Sequence, residues 1–438
     1  MLRDLRPRRN FDPVEDYSSG LSKAIGEPAA SGARAMDVAE AAAIEGRCIM
    51  PTYSRFPVVF VRGTGCRLID SEERSYLDFV AGIATTSLGH AHPELAEAVA
   101  EQAALLVHTS NLYYTVPQLR LAEELRRLNG WGRVFYASSG AEAIECAIKL
   151  VRKYWHLRDP ARRKIVAFEN SFHGRTMGAL SITGQPSKRI PFEPLVGSIE
   201  YVDPRSPEHI CEVIKDAGAL FLEVIQGEGG IHPLGVDAVR AINEAREVSG
   251  ALVVVDEVQT GLCRTGKWLA FHHERWQVLR PDIFTLGKAL GNGFPISACV
   301  AREEVASAFA PGEHGTTLGG GPVVSAVACK VLEIMRRLSL DDRAARYGKL
   351  LAAAVASLPG IREVRGEGLL LGADTEVPAK SVAEAALQRG LLINAVGEYT
   401  IRLCPPLVIT EDDIEEGVEK LKDALETSLQ PCDRKKLL

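Results

Sequence analysis

The sequence predicts an α/β protein, with a mainly parallel sheet covered on both faces and a smaller α+β lobe appended. Three observations lead there. The runs GRVFYAS, KIVAFEN, GALFLEVI, ALVVVDEV and DIFTLGK recur between residues 132 and 288. They are apolar almost throughout instead of alternating, as strands buried on both faces must be. Helical periodicity, as in Val236–Val248, separates several of them, the pattern of parallel strands joined by crossover helices. Finally, 438 residues exceed what one compact core usually holds.

Taken in order, residues 1–50 are polar and small (GEPAASGARA) and read as an N-terminal arm with at most a short helix at Met36–Ile44. VVFVRG and CRLIDSEERSYLDFV alternate like a hairpin of exposed strands turning at Asp70-Ser71. Helical spacing follows in Pro93–Val107 and Pro117–Leu128, and GRVFYAS then runs into the helix GAEAIECAIKLVRKYW. Beyond the strand–helix units, a helix at Pro322–Arg337 leads into Asp341–Leu425. Strands GEGLLLGAD, GLLIN and TIRLCP with two helices are expected there.

Composition narrows the function. A net charge of −6 offers no basic stripe to neutralise phosphates, so nucleic acid is not expected as the main partner. No apolar run approaches bilayer-spanning length. The nine scattered cysteines form no CxxC pair, so reduced thiols in the cytoplasm fit better than a zinc knuckle or disulfide scaffold. His90/His92 and His272/His273 lack companion ligands for a metal. The arginine-rich start MLRDLRPRRNF is not read as a transit peptide, because Asp4, Asp12, Glu15 and Asp16 accompany it. No apolar segment of a secretory signal follows it.

Three stretches put functional groups at strand ends, where ligands of parallel α/β sheets bind. YASSGAEA turns from a strand into a helix, and its small residues let backbone N–H groups approach an anion. By itself this is equally an ordinary capped turn. ALVVVDEVQTG ends a buried strand in Asp256 and Glu257, which alternation sends to opposite faces, so one acid points into the site and needs a cationic partner. A metal is the competing partner, but no ligand motif accompanies it. FTLGKALGNGFPIS sets Lys288 in an apolar, glycine-rich run at the next strand end. Lysine there either snorkels to water or is wanted neutral, as a nucleophile that forms a Schiff base. A phosphate cradle, a strand-end acid and a strand-end lysine together describe a pyridoxal phosphate site.

From about Tyr53 to Thr410 the chain resembles the class III, fold-type I aminotransferases, and within them the acetylornithine/ornithine aminotransferases. The motifs that carry the resemblance are YLDFVAGIATTSLGHAHP, HTSNLYYT, SSGAEAIECAIKLVRKY, FHGRTMGALSITGQ, EVIQGEGGI, VVVDEVQTGLCRTG, TLGKALGNGFPIS and IRLCPPLVIT. The resemblance implies a large cofactor-binding domain over residues 96–325 with a mainly parallel seven-stranded sheet. Residues 51–95 and 326–438 would build the small domain and the helix leading to it. It also implies roles. Lys288 would be the Schiff-base lysine and proton shuttle, Asp256 the partner of the pyridine nitrogen, and Gln259 that of the ring hydroxyl. Phe172 and Val258 would sandwich the ring, with Gly140 and Ala141 on the phosphate. Thr317 would reach that phosphate from the neighbouring subunit, making a homodimer the functional unit. Arg175 would clamp the carboxylate remote from the reacting amine, and Arg402 the α-carboxylate of glutamate. Glu228 would pair with Arg402 when the other substrate binds, and Tyr53 and Thr316 would face substrate. Outside the motif context, Arg175 and Arg402 read equally well as structural ion pairs.

The chain departs from the family pattern at Cys263, where GxGRTG has glycine, at Gly321 for the asparagine of GGNP, and at Leu318 for an aromatic. Ser138 stands where asparagine is common. None removes a catalytic group, but Leu318 and Gly321 are expected to loosen the intersubunit contact. The activity implied is transfer of the terminal amine of N-acetylornithine to 2-oxoglutarate, in arginine biosynthesis, with lysine biosynthesis as the alternative. Ornithine, succinylornithine and a carrier-linked lysine are close alternatives, and an amino-acid racemase on the same scaffold is a distant one. A nucleotide-binding dehydrogenase is disfavoured by the lack of GxGxxG after the first parallel strand. A non-catalytic homologue is disfavoured by the intact lysine, acid and arginines.

Overall fold

A computed structural model describes residues 36–429. The arm up to residue 35, residues 430–438 and Cys432 lie outside the described residues. What is described of the arm is an alanine-rich helix, Val38–Cys48, which runs four residues past the expected end at Ile44. Asp37 caps it by accepting a hydrogen bond from the Glu40 amide at 2.8 Å.

The expected hairpin is a three-stranded antiparallel meander: β1 (Phe60–Thr64), β2 (Arg67–Asp70) and β3 (Ser75–Asp78). Asp70 builds the second turn, accepting from the amides of Glu72 and Arg74 and from the Tyr76 hydroxyl, each at 2.9 Å. β3 is mostly buried, not exposed, because a C-terminal strand pairs parallel beside it.

The central sheet has seven strands: β4 (Arg133–Ala137), β5 (Ile165–Phe168), β6 (Ile199–Val202), β7 (Ala219–Leu222), β10 (Leu252–Asp256), β11 (Ile283–Leu286) and β12 (Ser297–Ala301). Their order is β4-β12-β11-β10-β7-β5-β6. The short pair β8 (Ile225–Gln226) and β9 (His232–Pro233) forms a separate ribbon after β7. β12 alone is antiparallel to its neighbours in the large sheet. Within one strand the side chains divide between two cores: Val253 and Val255 join one, Leu252 and Val254 the other. The helix Gly140–His156 covers the second face. Helices Val116–Asn129, Val236–Ser249 and Pro322–Arg337 contribute to the first.

The C-terminal lobe differs in detail from expectation. GEGLLLGAD is not one strand but a hairpin, β13 (Ile361–Glu367) turning at Gly368 into β14 (Leu370–Thr375). Gly368 has φ +56°, and a Cβ there would lie 2.4 Å from the Thr265 carbonyl carbon, so only glycine fits. GLLIN divides into β15 (Leu391–Leu392), which joins β3, and β16 (Asn394–Ala395), which with β17 (Thr400–Leu403) completes a sheet ordered β13-β14-β17-β16. Three helices, not two, accompany these strands: Leu340–Ala356, Ala379–Gln388 and Glu411–Leu429.

One backbone approach bears directly on the site. Gly184 accepts from the Asn170 amide at 2.9 Å and donates to the Ser171 carbonyl at 3.0 Å, closing the loop that leads to Phe172. A Cβ on Gly184 would lie 1.9 Å from the Phe168 carbonyl oxygen. Gly184→Ala is therefore expected to cost about 2–4 kcal/mol through forced backbone movement, read as a lower denaturation midpoint. An unchanged midpoint would mean that the loop is not packed as described.

Candidate active site

The carboxyl ends of the parallel strands converge on one cleft. Asp256 is the last residue of β10 and is 6% exposed. Its Oδ1 accepts from the Val258 amide and from the hydroxyl of Thr285 on β11, both at 3.0 Å. Its Oδ2 lies 2.8 Å from Nδ1 of buried His173. Burial alone would favour a neutral His173 ring, but the hydrogen bond and charge of Asp256 outweigh it and hold the imidazole pKa above its usual value. Alternation sends Glu257 the other way. There the Thr260 hydroxyl donates to it at 2.6 Å and the Phe271 amide at 3.0 Å, and burial pushes its pKa up to about 7. Of the two strand-end acids, Asp256 belongs to the cleft and Glu257 to the core.

Lys288 follows β11 after Gly287, in the left-handed region at φ +39°, a conformation that costs about 1 kcal/mol outside glycine. Burial pulls its pKa down to about 8. The Arg402 charge adds to that, while Glu228 and Asp256 oppose it. Next to it a Cβ on Gly140 would come within 2.7 Å of Val258 Cγ1, so Val258 packs directly on the first residue of the helix Gly140–His156. That helix is capped by Ser139, whose hydroxyl donates to Glu142 at 2.9 Å. Glu142 also accepts the Ser138 amide, which leaves the amides of Gly140 and Ala141 without helical partners. Gly174, at φ +139°, lets the following chain touch Ala141; a Cβ there would be 2.7 Å from Ala141 Cβ.

Arg402, on β17, is fully buried. Its Nη1 donates to Glu228 at 2.5 Å, to the Gly227 carbonyl at 3.2 Å and to Gln259 at 3.4 Å, and Nε reaches Asn394 at 3.3 Å. Nη2 is buried without a hydrogen-bond partner among the described residues. Burial raises the Glu228 pKa, but Arg402, Lys288 and Lys188 more than reverse this and hold the carboxyl below its usual range. Phe172 is half-buried, with the Arg175 guanidinium 5.5 Å and the Lys188 ammonium 4.8 Å from its ring centre.

Three of the sequence-derived residues are not gathered here. Tyr53 is 73% exposed and its ring meets Arg55 at 5.4 Å. Thr316 accepts the Asn111 side-chain amide on its carbonyl at 3.0 Å. Exposed Thr317 lines a surface recess with Asn111 and Gln118. Cys263, the residue in place of glycine, sits buried at φ +69°, where glycine would be unstrained. Leu318 is 63% exposed and Gly321 heads the helix Pro322–Arg337.

Sequence reasoning missed His173 and Glu223. Glu223 ends the β7 run as Asp256 ends β10, and that shared position is the signal that could have found it. It accepts the amides of Phe172 at 2.9 Å and Gly227 at 3.2 Å, and burial pushes its pKa up to about 7. His173 carries no signal beyond its place next to Phe172.

These residues suit pyridoxal phosphate by donor chemistry: free amides at a helix head for a phosphate, a buried carboxylate for a pyridinium, and an amine of lowered pKa for an aldehyde. Among the described residues, no group of three or more His, Cys, Asp or Glu could hold a metal ion. Fold and site define a pyridoxal-phosphate-dependent enzyme of fold-type I. The chain belongs to the class-III aminotransferases, whose family model matches residues 49–425. It is 43% identical to an acetylornithine aminotransferase of Archaeoglobus fulgidus over 86% of this chain and 97% of that protein. It is 44% identical to one of Caldanaerobacter subterraneus over 87% and 98%. A solved ornithine aminotransferase of Toxoplasma gondii, with pyridoxal phosphate partly occupying its active site, superposes with a TM-score of 0.84. That match is 30% identical over 96% of this chain and 99% of that one.

Proposed function

We propose that the protein moves the δ-amino group of N-acetylornithine to 2-oxoglutarate, giving N-acetylglutamate semialdehyde and glutamate, as a step of arginine biosynthesis. The relatives named acetylornithine aminotransferase support the substrate. The observation that carries the reading is buried Arg402, with one amino group on Glu228 and the other without a partner.

Pyridoxal phosphate, when bound, would supply an electron sink for the carbon that bears the amine. The chain supplies position and charge. Gly140 and Ala141 would offer amides to the phosphate, Phe172 and Val258 would flank the ring, and Gln259 would take its hydroxyl. Asp256, steadied by Thr285, the Val258 amide and His173, would partner the ring nitrogen and favour its protonated form. Lys288 would hold the cofactor through its amine; once the incoming substrate amine displaces it, the freed amine would be the base that moves a proton away from the substrate carbon bearing the amine.

N-acetylornithine keeps its carboxylate far from the reacting carbon, where Arg175 is exposed to receive it. Glutamate brings a second carboxylate next to that carbon, and the open amino group of Arg402 suits it. Without glutamate an unpaired buried guanidinium would cost several kcal/mol, so Glu228 neutralises it and swings aside when glutamate binds. Glu228→Ala should improve glutamate relative to N-acetylornithine. Arg402→Ala should slow the glutamate half-reaction about a hundredfold while affecting the other far less. Single-turnover rates for each half-reaction test this, and equal losses in both would sink the switch.

A homodimer with shared sites is part of the same reading. The exposed run Leu105, Val107, Leu112, Tyr113, Tyr114 and Val116 supports it, since so much apolar surface together marks an association site. A partner on that surface would give Thr317 and Thr316 a cleft to face. No helix among the described residues is long and apolar enough to cross a membrane.

A further inference from the structure

Lys188 has no role in the reading above. It sits in the short helix Pro186–Arg189, and the preceding Gln185 side chain ties this turn to the end of β5 by donating to the Asn170 carbonyl at 3.1 Å. Its ammonium is 4.8 Å from the Phe172 ring centre, on the ring that Arg175 also meets at 5.5 Å. Among the described residues neither side-chain cation has a hydrogen-bond or ion-pair partner, although Lys188 is half-buried. Burial draws its pKa below the usual lysine value; Glu228 opposes this, and Arg175 adds to it.

Two unpartnered cations sit on one ring within the field of Glu228, and one of them, Arg175, is the residue that the proposed function assigns to the remote part of the substrate. An acylated ornithine presents a carboxylate and a neutral amide there. Free ornithine presents the same carboxylate and an α-ammonium. We propose that Lys188 is a specificity-determining residue that, with Arg175, forms a dicationic wall accepting a carboxylate beside an acylamino group and rejecting a free α-ammonium. This rests on the aminotransferase reading above. The compact ammonium has three donors, so it serves the amide carbonyl oxygen or the carboxylate as a point charge, while Arg175 suits a bidentate carboxylate. A third positive charge a few ångströms away is repelled in a partly screened site by roughly tenfold or more in affinity.

The test is kcat/KM for N-acetylornithine and for ornithine in the wild type, Lys188→Met and Lys188→Arg. In Lys188→Met the preference for N-acetylornithine should fall about tenfold or more. KM for N-acetylornithine should rise with little change in kcat, and kcat/KM for ornithine should increase. Lys188→Arg keeps the charge and should keep most of the preference. If Lys188→Met fails to fold or to hold cofactor, Lys188→Gln removes the same charge and is read identically. Equal losses for both substrates, or an unchanged preference, would show that Lys188 only packs on Phe172 and would overturn the proposal. Failure of the aminotransferase reading looks different: the wild type would turn over neither compound.

Discussion

Lys288→Ala should lower transamination by a factor of about 10⁴ or more, because it removes both the covalent anchor and the proton carrier in one change. The loss should appear equally in both half-reactions, unlike that of Arg402→Ala. Borohydride reduction of the wild type should fix the cofactor on Lys288, and mass spectrometry of the peptide spanning residues 284–297 would show it. The lowered pKa of about 8 adds a pH signature. Only the neutral amine attacks an aldehyde, so cofactor loading of the cofactor-free protein should accelerate about tenfold per pH unit below that value and level off above it. Loading that is flat from pH 6 to 9, or a label on another lysine, would remove Lys288 from this role.

Asp256→Asn should cost about 10³-fold in both half-reactions with most of the cofactor retained. The asparagine oxygen can still accept from Val258 and Thr285, which hold the present carboxylate at 3.0 Å. Its amide, however, carries no charge to favour a protonated ring nitrogen. It also turns an N–H toward His173 Nδ1, so the imidazole must change tautomer or lose its bond. The His173 pKa should fall as the Asp256 charge disappears. Near-normal turnover in Asp256→Asn would make that carboxylate structural.

The strand-end logic explains why some of this was readable. Asp256, Glu257 and Lys288 stand at the ends of apolar runs, and parallel strands deliver such ends to one edge, so an acid near the lysine follows from periodicity, while the choice of Asp256 over Glu257 came through the resemblance. Glu223 was open to the same strand-end logic, but its contacts and those of His173 were not readable, because they depend on β7 lying between β5 and β10, an order that the chain sequence does not display. β12 was hidden by its small residues, SACVA, and by the glycine-rich turn before it. β6 is a half-exposed edge strand of four residues. The leucines of GEGLLLGAD concealed the turn at Gly368, whose left-handed backbone only the folded chain reveals. Arg402 and Glu228 became legible through resemblance, since nothing in the spacing of residues 228 and 402 predicts an ion pair.

Substrate choice is tested most directly by one comparison. Purified protein with pyridoxal phosphate and 2-oxoglutarate is assayed for glutamate formation from N-acetylornithine, ornithine, succinylornithine and a carrier-linked lysine under one set of conditions. The dicationic end of the cleft predicts the highest kcat/KM for N-acetylornithine and a value for ornithine at least about tenfold lower. Faster turnover of ornithine, or turnover confined to the carrier-linked substrate, would contradict it.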